Sequence, residues 1–328
     1  MFSISQDKSQ VGWQSIRLGL AVLLTAGFAA CAHPPQTNAL LESVDTADLP
    51  RRVMLESVPF IPQEKNWCGP AALAMALQWS GVPATQEAIA KMVYTPGLEG
   101  ALRHDMVTGA RRHARLVTPV QTLQEITREL AAGHPVLVFQ NLSFNALPFW
   151  HYAVAIGYDL DQGELMFHSG TTEVLTTHMG LFERTWKRGD YWGQVVLPPG
   201  RLPASATSMQ VIESARALER AGWAEESITI YRLVVTRWPE QYLGWMALGN
   251  AHMAQEVWTE ATTAFHKAVK IAPEKPAGWN NLAFALAHQE RWDESETAVD
   301  QAVRVGGELG EIFKRSQEEI RAKRRMRH

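Results

Sequence analysis

Cysteine, excess charge and long apolar runs are all scarce in this chain of 328 residues. With only Cys31 and Cys68 present, one bridge is the most that can form, so no disulfide framework staples the fold. A net charge of −3 excludes the basic footprint that a nucleic-acid partner requires. The one basic cluster, Arg321-Ala322-Lys323-Arg324-Arg325-Met326-Arg327-His328, follows a helical pattern and reads as a C-terminal turn matched to the helix dipole. The apolar stretch at residues 18–28 is too short for a comfortable bilayer span. No motif calls for a metal or a cofactor, and none is expected. What is present is ordinary globular composition, 46% hydrophobic and 20% charged, over a length that suggests two or three domains.

Lys8 and Arg17 precede that apolar stretch, and Ala29-Ala30-Cys31 closes it. This is the pattern of an export signal. Small residues directly before a cysteine resemble the bacterial lipoprotein box, although Phe28 stands where an aliphatic residue is usual. The resemblance implies cleavage before Cys31, lipid on its sulfur and, with Ala32 rather than aspartate next, an outer-membrane position facing the periplasm of the cell envelope. Residues 1–30 are then the signal peptide. Residues 31–51, carrying Pro34, Pro35 and Pro50, are expected to be a flexible tether. Lipidation of Cys31 leaves Cys68 unpaired; a Cys31–Cys68 bridge is the rival.

Cys68 stands in Gln63-Glu64-Lys65-Asn66-Trp67-Cys68-Gly69-Pro70-Ala71-Ala72. The helix formers from Pro70 to Trp79, stopped by Ser80-Gly81, predict a helix over residues 70–79. Pro70 suits its first turn, and the free N–H groups there make that end electropositive, an environment expected to favour the thiolate of Cys68. Gly69 would let a substrate backbone approach, and the Gln63 amide could donate to a developing oxyanion. A candidate base lies in Trp150-His151-Tyr152-Ala153-Val154-Ala155-Ile156-Gly157-Tyr158, where His151 opens an apolar, β-branched strand. His104, His113, His134, His168 and His178 read as surface or hydrogen-bonded residues.

The ordered set Val58-Pro59-Phe60-Ile61-Pro62-Gln63, Trp67-Cys68-Gly69-Pro70-Ala71-Ala72, Gly133-His134-Pro135-Val136-Leu137-Val138 and His151 to Tyr158 resembles the papain-like peptidases that process bacteriocin precursors, the double-glycine leader peptidase group. The resemblance covers residues 52–197. It implies an α+β papain-like domain in which an N-terminal helix carrying the cysteine packs on an antiparallel sheet carrying the histidine. By motif position Cys68 is the nucleophile, His151 the general base and acid, and Gln63 the oxyanion donor. The family's third residue, an Asp or Asn after the next strand, has no counterpart in Glu164-Leu165-Met166-Phe167-His168-Ser169-Gly170. Asp159 and Asp161 read as turn residues beside Gly163, which leaves His168 or Ser169, with Asp159 behind them, to orient His151. A missing orienting group lowers turnover without abolishing the chemistry.

The last third of the chain repeats. Trp245, Leu248, Gly249, His252, Ala261, Phe265, Ala268 and Pro273 fall on tetratricopeptide spacing, and Trp279 opens the next unit 34 residues after Trp245. Ala215, Leu218, Ser227, Tyr231 and Pro239 keep phase before it; Leu282, Ala283, Leu286, Val299 and Ala302 keep phase after it. Three units fit residues 208–305, forming an all-α superhelix, with residues 198–207 as a semi-rigid, proline-containing linker and residues 306–328 as a capping helix and basic tail. Such a stack is expected to hold a peptide or protein partner in its groove.

The expected function is a membrane-anchored cysteine peptidase acting on a peptide or protein substrate. Two readings stay open beside it: a papain-like binding lipoprotein that has lost turnover and serves as a scaffold, and another acyl transfer on the same thiol. No transporter segment follows the export signal, so double-glycine specificity is not carried over.

Overall fold

The computed structural model describes residues 34–43, 48–307 and 310–327. Its strands are β1 (Arg52–Met54), β2 (Tyr94–Thr95), β3 (Gly100–Ala101), β4 (Leu116–Val120), β5 (Val136–Asn141), β6 (Trp150–Asp159), β7 (Glu164–Ser169), β8 (Thr172–His178) and β9 (Gly193–Leu197). Apart from the β2–β3 ribbon they form one seven-stranded sheet in the order β4-β9-β5-β6-β7-β8, with β1 also on β6. All its pairings are antiparallel. The first half of β6 pairs with β5 and its last residues with β1, so β1 continues the β5 edge. Tyr152, Val154 and Ile156 enter one core while Ala153 and Ala155 enter the other, the period-two alternation of a strand buried on both faces.

The helices that cover the sheet are α1 (Pro35–Glu42), α2 (Cys68–Trp79), α3 (Gln86–Val93), α4 (Arg103–Arg111), α5 (Leu123–Ala131) and α6 (Met179–Lys187). Every residue of α2 from Gly69 to Leu77 is buried, as expected of a helix apolar on all sides. It shares a core with α3, α4, Tyr152, Val154 and Ile156. On the opposite face α5 and α6 pack with Ala153, Ala155 and Phe167.

Two buried carboxylates on that second face fasten the segments flanking the domain. Glu183 in α6 accepts from the Gln36 N–H at 3.0 Å and from the N–H and hydroxyl of Thr37, each at 2.7 Å. It thereby satisfies free donors at the start of α1, and Leu40 completes the contact from within the core. The segment expected as a flexible tether therefore carries a docked helix at residues 35–42, because a carboxylate 147 positions away supplies the cap that α1 lacks locally. Cys31 and the export signal lie outside the described residues.

Glu129 in α5 plays the corresponding part at the other end. It accepts from the N–H and hydroxyl of Ser205 at 2.7 and 2.6 Å and meets His134 Nδ1 at 2.8 Å. Burial pushes this carboxyl up, but the hydrogen bonds from His134, Ser205 and Ala204 prevail and hold it below the ordinary range. Arg237 donates to the Pro203 and Ala204 carbonyls. The residues expected as a linker are thus fixed to both sides.

Beyond them α7 (Ser208–Arg220), α8 (Ala224–Arg237), α9 (Tyr242–Ala254), α10 (Trp258–Ile271), α11 (Pro276–His288), α12 (Trp292–Val305) and α13 (Gly310–Arg327) follow in succession. The period recurs in the hydrogen bonds. Trp245 Nε1 donates to the Pro239 carbonyl at 2.7 Å and Trp279 Nε1 to the Pro273 carbonyl at 2.8 Å; the turns at Gly222, Glu256 and Glu290 all take positive φ. A Cβ on Gly249 would stand 2.5 Å from the Phe265 ring, so the α9–α10 crossing admits glycine alone without adjustment. α13 closes the stack through buried Ile320. Its basic residues do not serve the helix dipole alone: Arg321 pairs with Asp300, and Arg324 with Asp293 and Glu296. The sheet and the first repeats share one core, running from Leu116 through Val211, Tyr231 and Leu248.

Glu129→Ala is expected to lower stability by about 3–5 kcal/mol, since it strands buried His134 and Ser205 donors. Urea unfolding followed by tryptophan fluorescence measures it; a loss below about 1 kcal/mol would mean the junction does not depend on this carboxylate.

Candidate active site

Cys68 is the first residue of α2. Asn66 takes a left-handed φ of 63°, Trp67 N–H returns to the Glu64 carbonyl at 3.0 Å, and no side chain caps the helix. The chain therefore turns sharply into the helix with its first N–H groups left for the thiol. Gly69 has a different role from the one expected. A Cβ there would lie 2.8 Å from Ala101 Cβ of the β2–β3 ribbon and 3.3 Å from Tyr152 Cδ2 of the sheet, so its missing side chain admits the protein's own ribbon and sheet rather than a substrate backbone.

This close approach brings the sulfur to β6. The backbone N–H groups of Tyr152, Gly69 and Cys68 itself act on the thiol in the direction of the thiolate, but burial opposes them, prevails and raises its pKa above the ordinary value. The expectation of a thiolate favoured by the helix end is thus reversed. Dipole and donors are present, yet the same packing that supplies them removes the water that would solvate the charge. Tyr152 is held in place by its hydroxyl, which donates to the Ala101 carbonyl at 3.1 Å.

His151, the residue before Tyr152, is buried, and its Nε2 lies 2.8 Å from Ser169 Oγ. Burial lowers its pKa from 6.5 to about 4. Ser169 ends β7, and Gly170 with φ 63° turns the chain into β8. Gln63 donates its N–H to the Gly170 carbonyl at 3.0 Å, which sets it at the corner occupied by Ser169. Its side-chain Oε1 is buried with no hydrogen-bond partner among the described residues. The contacts thus join His151 to Ser169, Gln63 to the Gly170 turn that follows Ser169, and Cys68 to Tyr152, the residue after His151.

The other two candidates for orienting His151 are engaged elsewhere. His168 faces the carbonyls of Glu173 and, at 3.0 Å, Val58 with its two ring nitrogens; alternation along β7 sends it to the opposite side from Ser169. Asp159 lies at the far end of β6, where it accepts from the Asp161 and Gln162 N–H groups at 3.0 Å each and sits 3.9 Å from Arg52. The Tyr152 N–H escaped the sequence reading. Its only available signal was position, as the residue following the histidine. Among the described residues no His, Cys, Asp or Glu group could hold a metal ion, and none of the described helices is long and apolar enough to cross a membrane.

A cysteine at the start of a buried helix, set against a strand that carries a histidine, defines the domain as α+β and papain-like; helix pairs of tetratricopeptide type follow it. Residues 55–190 match the family model described as Peptidase_C39 like family and form a Peptidase_C39-like domain. Among solved structures, a putative C39-like peptidase from Bacillus anthracis aligns at 17% identity over 44% of this chain and 97% of its own, with a TM-score of 0.38. The tetratricopeptide domain of Sgt2 from Aspergillus fumigatus aligns at 17% identity over 35% of this chain and 78% of its own, with a TM-score of 0.34. A curated relative, the tRNA modification GTPase MnmE of Lactiplantibacillus plantarum, is 34% identical over 90 residues, 27% of this chain; the chain spans about a fifth of that protein's length, 19%.

The depressed His151 pKa carries a pH signature. Between about 4 and 6.5 the unfolded chain binds the proton that the folded one refuses, so stability is full above that window and falls as pH drops through it. The expected loss is about 3 kcal/mol. Urea unfolding at stepped pH measures it, and His151→Gln should flatten the profile in this window relative to wild type; an unchanged slope would contradict the assignment.

Proposed function

We propose that this protein is an exported cysteine peptidase, held at the cell envelope by lipid on Cys31, whose repeats bind a substrate or partner protein. The observation that supports the catalytic reading is the packing of the start of α2 on Tyr152, whose N–H acts on the Cys68 thiol, one residue along β6 from His151, whose Nε2 is bonded to Ser169. In this reading Cys68 sulfur attacks a peptide carbonyl while its proton passes to His151 Nδ1. Gln63 and the start of α2 face the developing oxyanion. The imidazolium then protonates the leaving amine, and water, deprotonated by His151, resolves the thioester to a carboxylic acid and the free thiol. Since burial keeps the resting thiol protonated and the imidazole neutral, proton transfer accompanies attack instead of preceding it. Ser169 takes the orienting place with a hydroxyl. The asparagines Asn250 and Asn281, bonded at 2.8 Å between α9 and α11, offer the repeat groove a polar surface for an extended partner segment.

The same neutral pair, oriented by a hydroxyl rather than a carboxylate or amide, favours a second reading: a scaffold with little or no turnover. Incubating the purified protein with a complex peptide mixture and sequencing the new N-termini by mass spectrometry separates the two. The peptidase reading expects cleavage that Cys68→Ala and His151→Ala reduce at least about 1,000-fold. Ser169→Ala should lower kcat about 10- to 100-fold with little change in KM, and Ser169→Asn should recover it. No cleavage by wild type, with cellular function retained in Cys68→Ala, would favour the scaffold.

Anchoring has its own test. Cells fed radiolabelled palmitate should label the wild-type protein and not Cys31→Ser, which should fractionate as soluble. Persistent label on that variant would exclude Cys31 as the lipid site.

A further inference from the structure

The strand that brings His151 to the site also carries an apolar surface without an assigned role. Tyr152 and Trp150 stand on the same face of β6, one pleat apart and about 7 Å along the strand. Tyr152 packs on Gly69 beside the thiol, so Trp150 extends the same surface past the N-terminus of α2. Phe139 of β5, paired with Tyr152 of β6, lies 4.6 Å from its ring and stacks on Trp150 at 5.1 Å and 12°. Trp192 closes edge-on against both Tyr152 and Phe139. The Arg103 guanidinium, paired with Asp190, sits 5.7 Å from the centre of the Phe139 ring at the rim.

The chain leading into this strand adds more apolar surface. Residues 142–149 form a tight loop in which Asn141 Oδ1 accepts from the Ser143 and Phe149 N–H groups, and Leu142 N–H donates to the Phe149 carbonyl. Its tip presents Phe144 at 79% and Leu147 at 77% exposure, and Trp150 itself is 48% exposed. Hydrogen bonds thus hold an apolar tip in water, a cost that isolated surface residues do not explain.

We propose that this platform is the specificity subsite of the peptidase: it receives a large apolar or aromatic side chain of the substrate beside the scissile bond. The inference rests on the peptidase reading above. Its occupant follows from continuity, because the buried Tyr152 gives its N–H to the thiol and supports Phe139, on which the exposed Trp150 stacks, so a peptide reaching Cys68 from this side crosses Trp150. Flat aromatic faces suit an aromatic residue and disfavour a carboxylate, whose desolvation they could not repay while the rim cation, Arg103, is paired with Asp190.

The test compares three thiol probes on the full chain: iodoacetamide and two blocked tripeptidyl acyloxymethyl ketones, one bearing phenylalanine and one bearing aspartate next to the residue that carries the warhead. In each ketone the sulfur displaces the carboxylate leaving group and its proton goes to solvent. The phenylalanine probe should react with Cys68 at least about tenfold faster than the aspartate probe. That ratio, normalised to each variant's iodoacetamide rate, should fall to within about threefold of unity in Trp150→Ala. Leu147→Asp, at the exposed tip where no packing depends on it, should lower it as well. Equal rates in wild type, or a ratio unchanged in both variants, would overturn the subsite. If no probe modifies Cys68, it is the peptidase reading that fails. Calorimetry of a blocked phenylalanine tripeptide with Cys68→Ala then decides the platform alone: binding weakened by Trp150→Ala supports it, and absence of binding overturns it. Concentration-dependent dimerisation, or sedimentation with phosphatidylglycerol vesicles, abolished by Leu147→Asp would assign the tip to self-association or to lipid instead.

Discussion

The approach of α2 to β6 at Gly69 is the contact on which the candidate site depends. With Ala101 of the β2–β3 ribbon and the Tyr152 ring at the distances found, no larger residue fits unless the helix or the ribbon moves. That separation decides where the Cys68 sulfur lies relative to the Tyr152 N–H, and hence relative to His151. It also sets the electrostatics. A helix end pressed this closely against a strand offers its N–H groups to the sulfur and excludes water at once, and the loss of water is the larger effect on the thiol. The same desolvation acts on His151 with opposite sign, because imidazole is charged when protonated and a thiol when deprotonated. Burial therefore drives both groups toward their neutral forms.

On the other face of the sheet, Glu129 and Glu183 apply one solution twice. Each is a helix carboxylate with no Arg or Lys among its hydrogen-bond partners; each accepts main-chain and hydroxyl donors from a segment far away in the chain, and Glu129 also meets the nearby His134 ring. A buried carboxylate tolerates desolvation when such donors converge on it. The consequence is organisational. The segment before the sheet and the segment after it are both fixed to the domain, so the repeats extend the peptidase-like core instead of hanging from it, and Cys31 lies only three residues ahead of Pro34, which itself packs on Gly180.

The repeats were legible because their information is local. Trp245 and Trp279 reach carbonyls six residues back, and the turns at Gly222, Glu256 and Glu290 adopt the same hand; each is set by residues within one unit, so the spacing in the sequence carries it directly. The helix after Cys68 and the strand carrying His151 were legible for the same reason, through propensity, a proline in the first turn and a β-branched run. Asp159 was readable as a turn residue beside Gly163, and its carboxylate closes that turn.

Sequence by itself thus determined the main elements, their order and the repeat period, and it singled out the thiol and imidazole of the candidate site. Tertiary structure decided their chemical state and their partners. Ser169 rather than His168 faces His151 because the pleat of β7 sends adjacent residues to opposite sides, and that alternation acquires meaning only once β6 lies beside it. The docking of residues 35–42 depends on a carboxylate far along the chain, and the reversal of the expected thiolate depends on how completely α2 is enclosed. Desolvation and long-range capping are properties of packed neighbours. No window of sequence contains them.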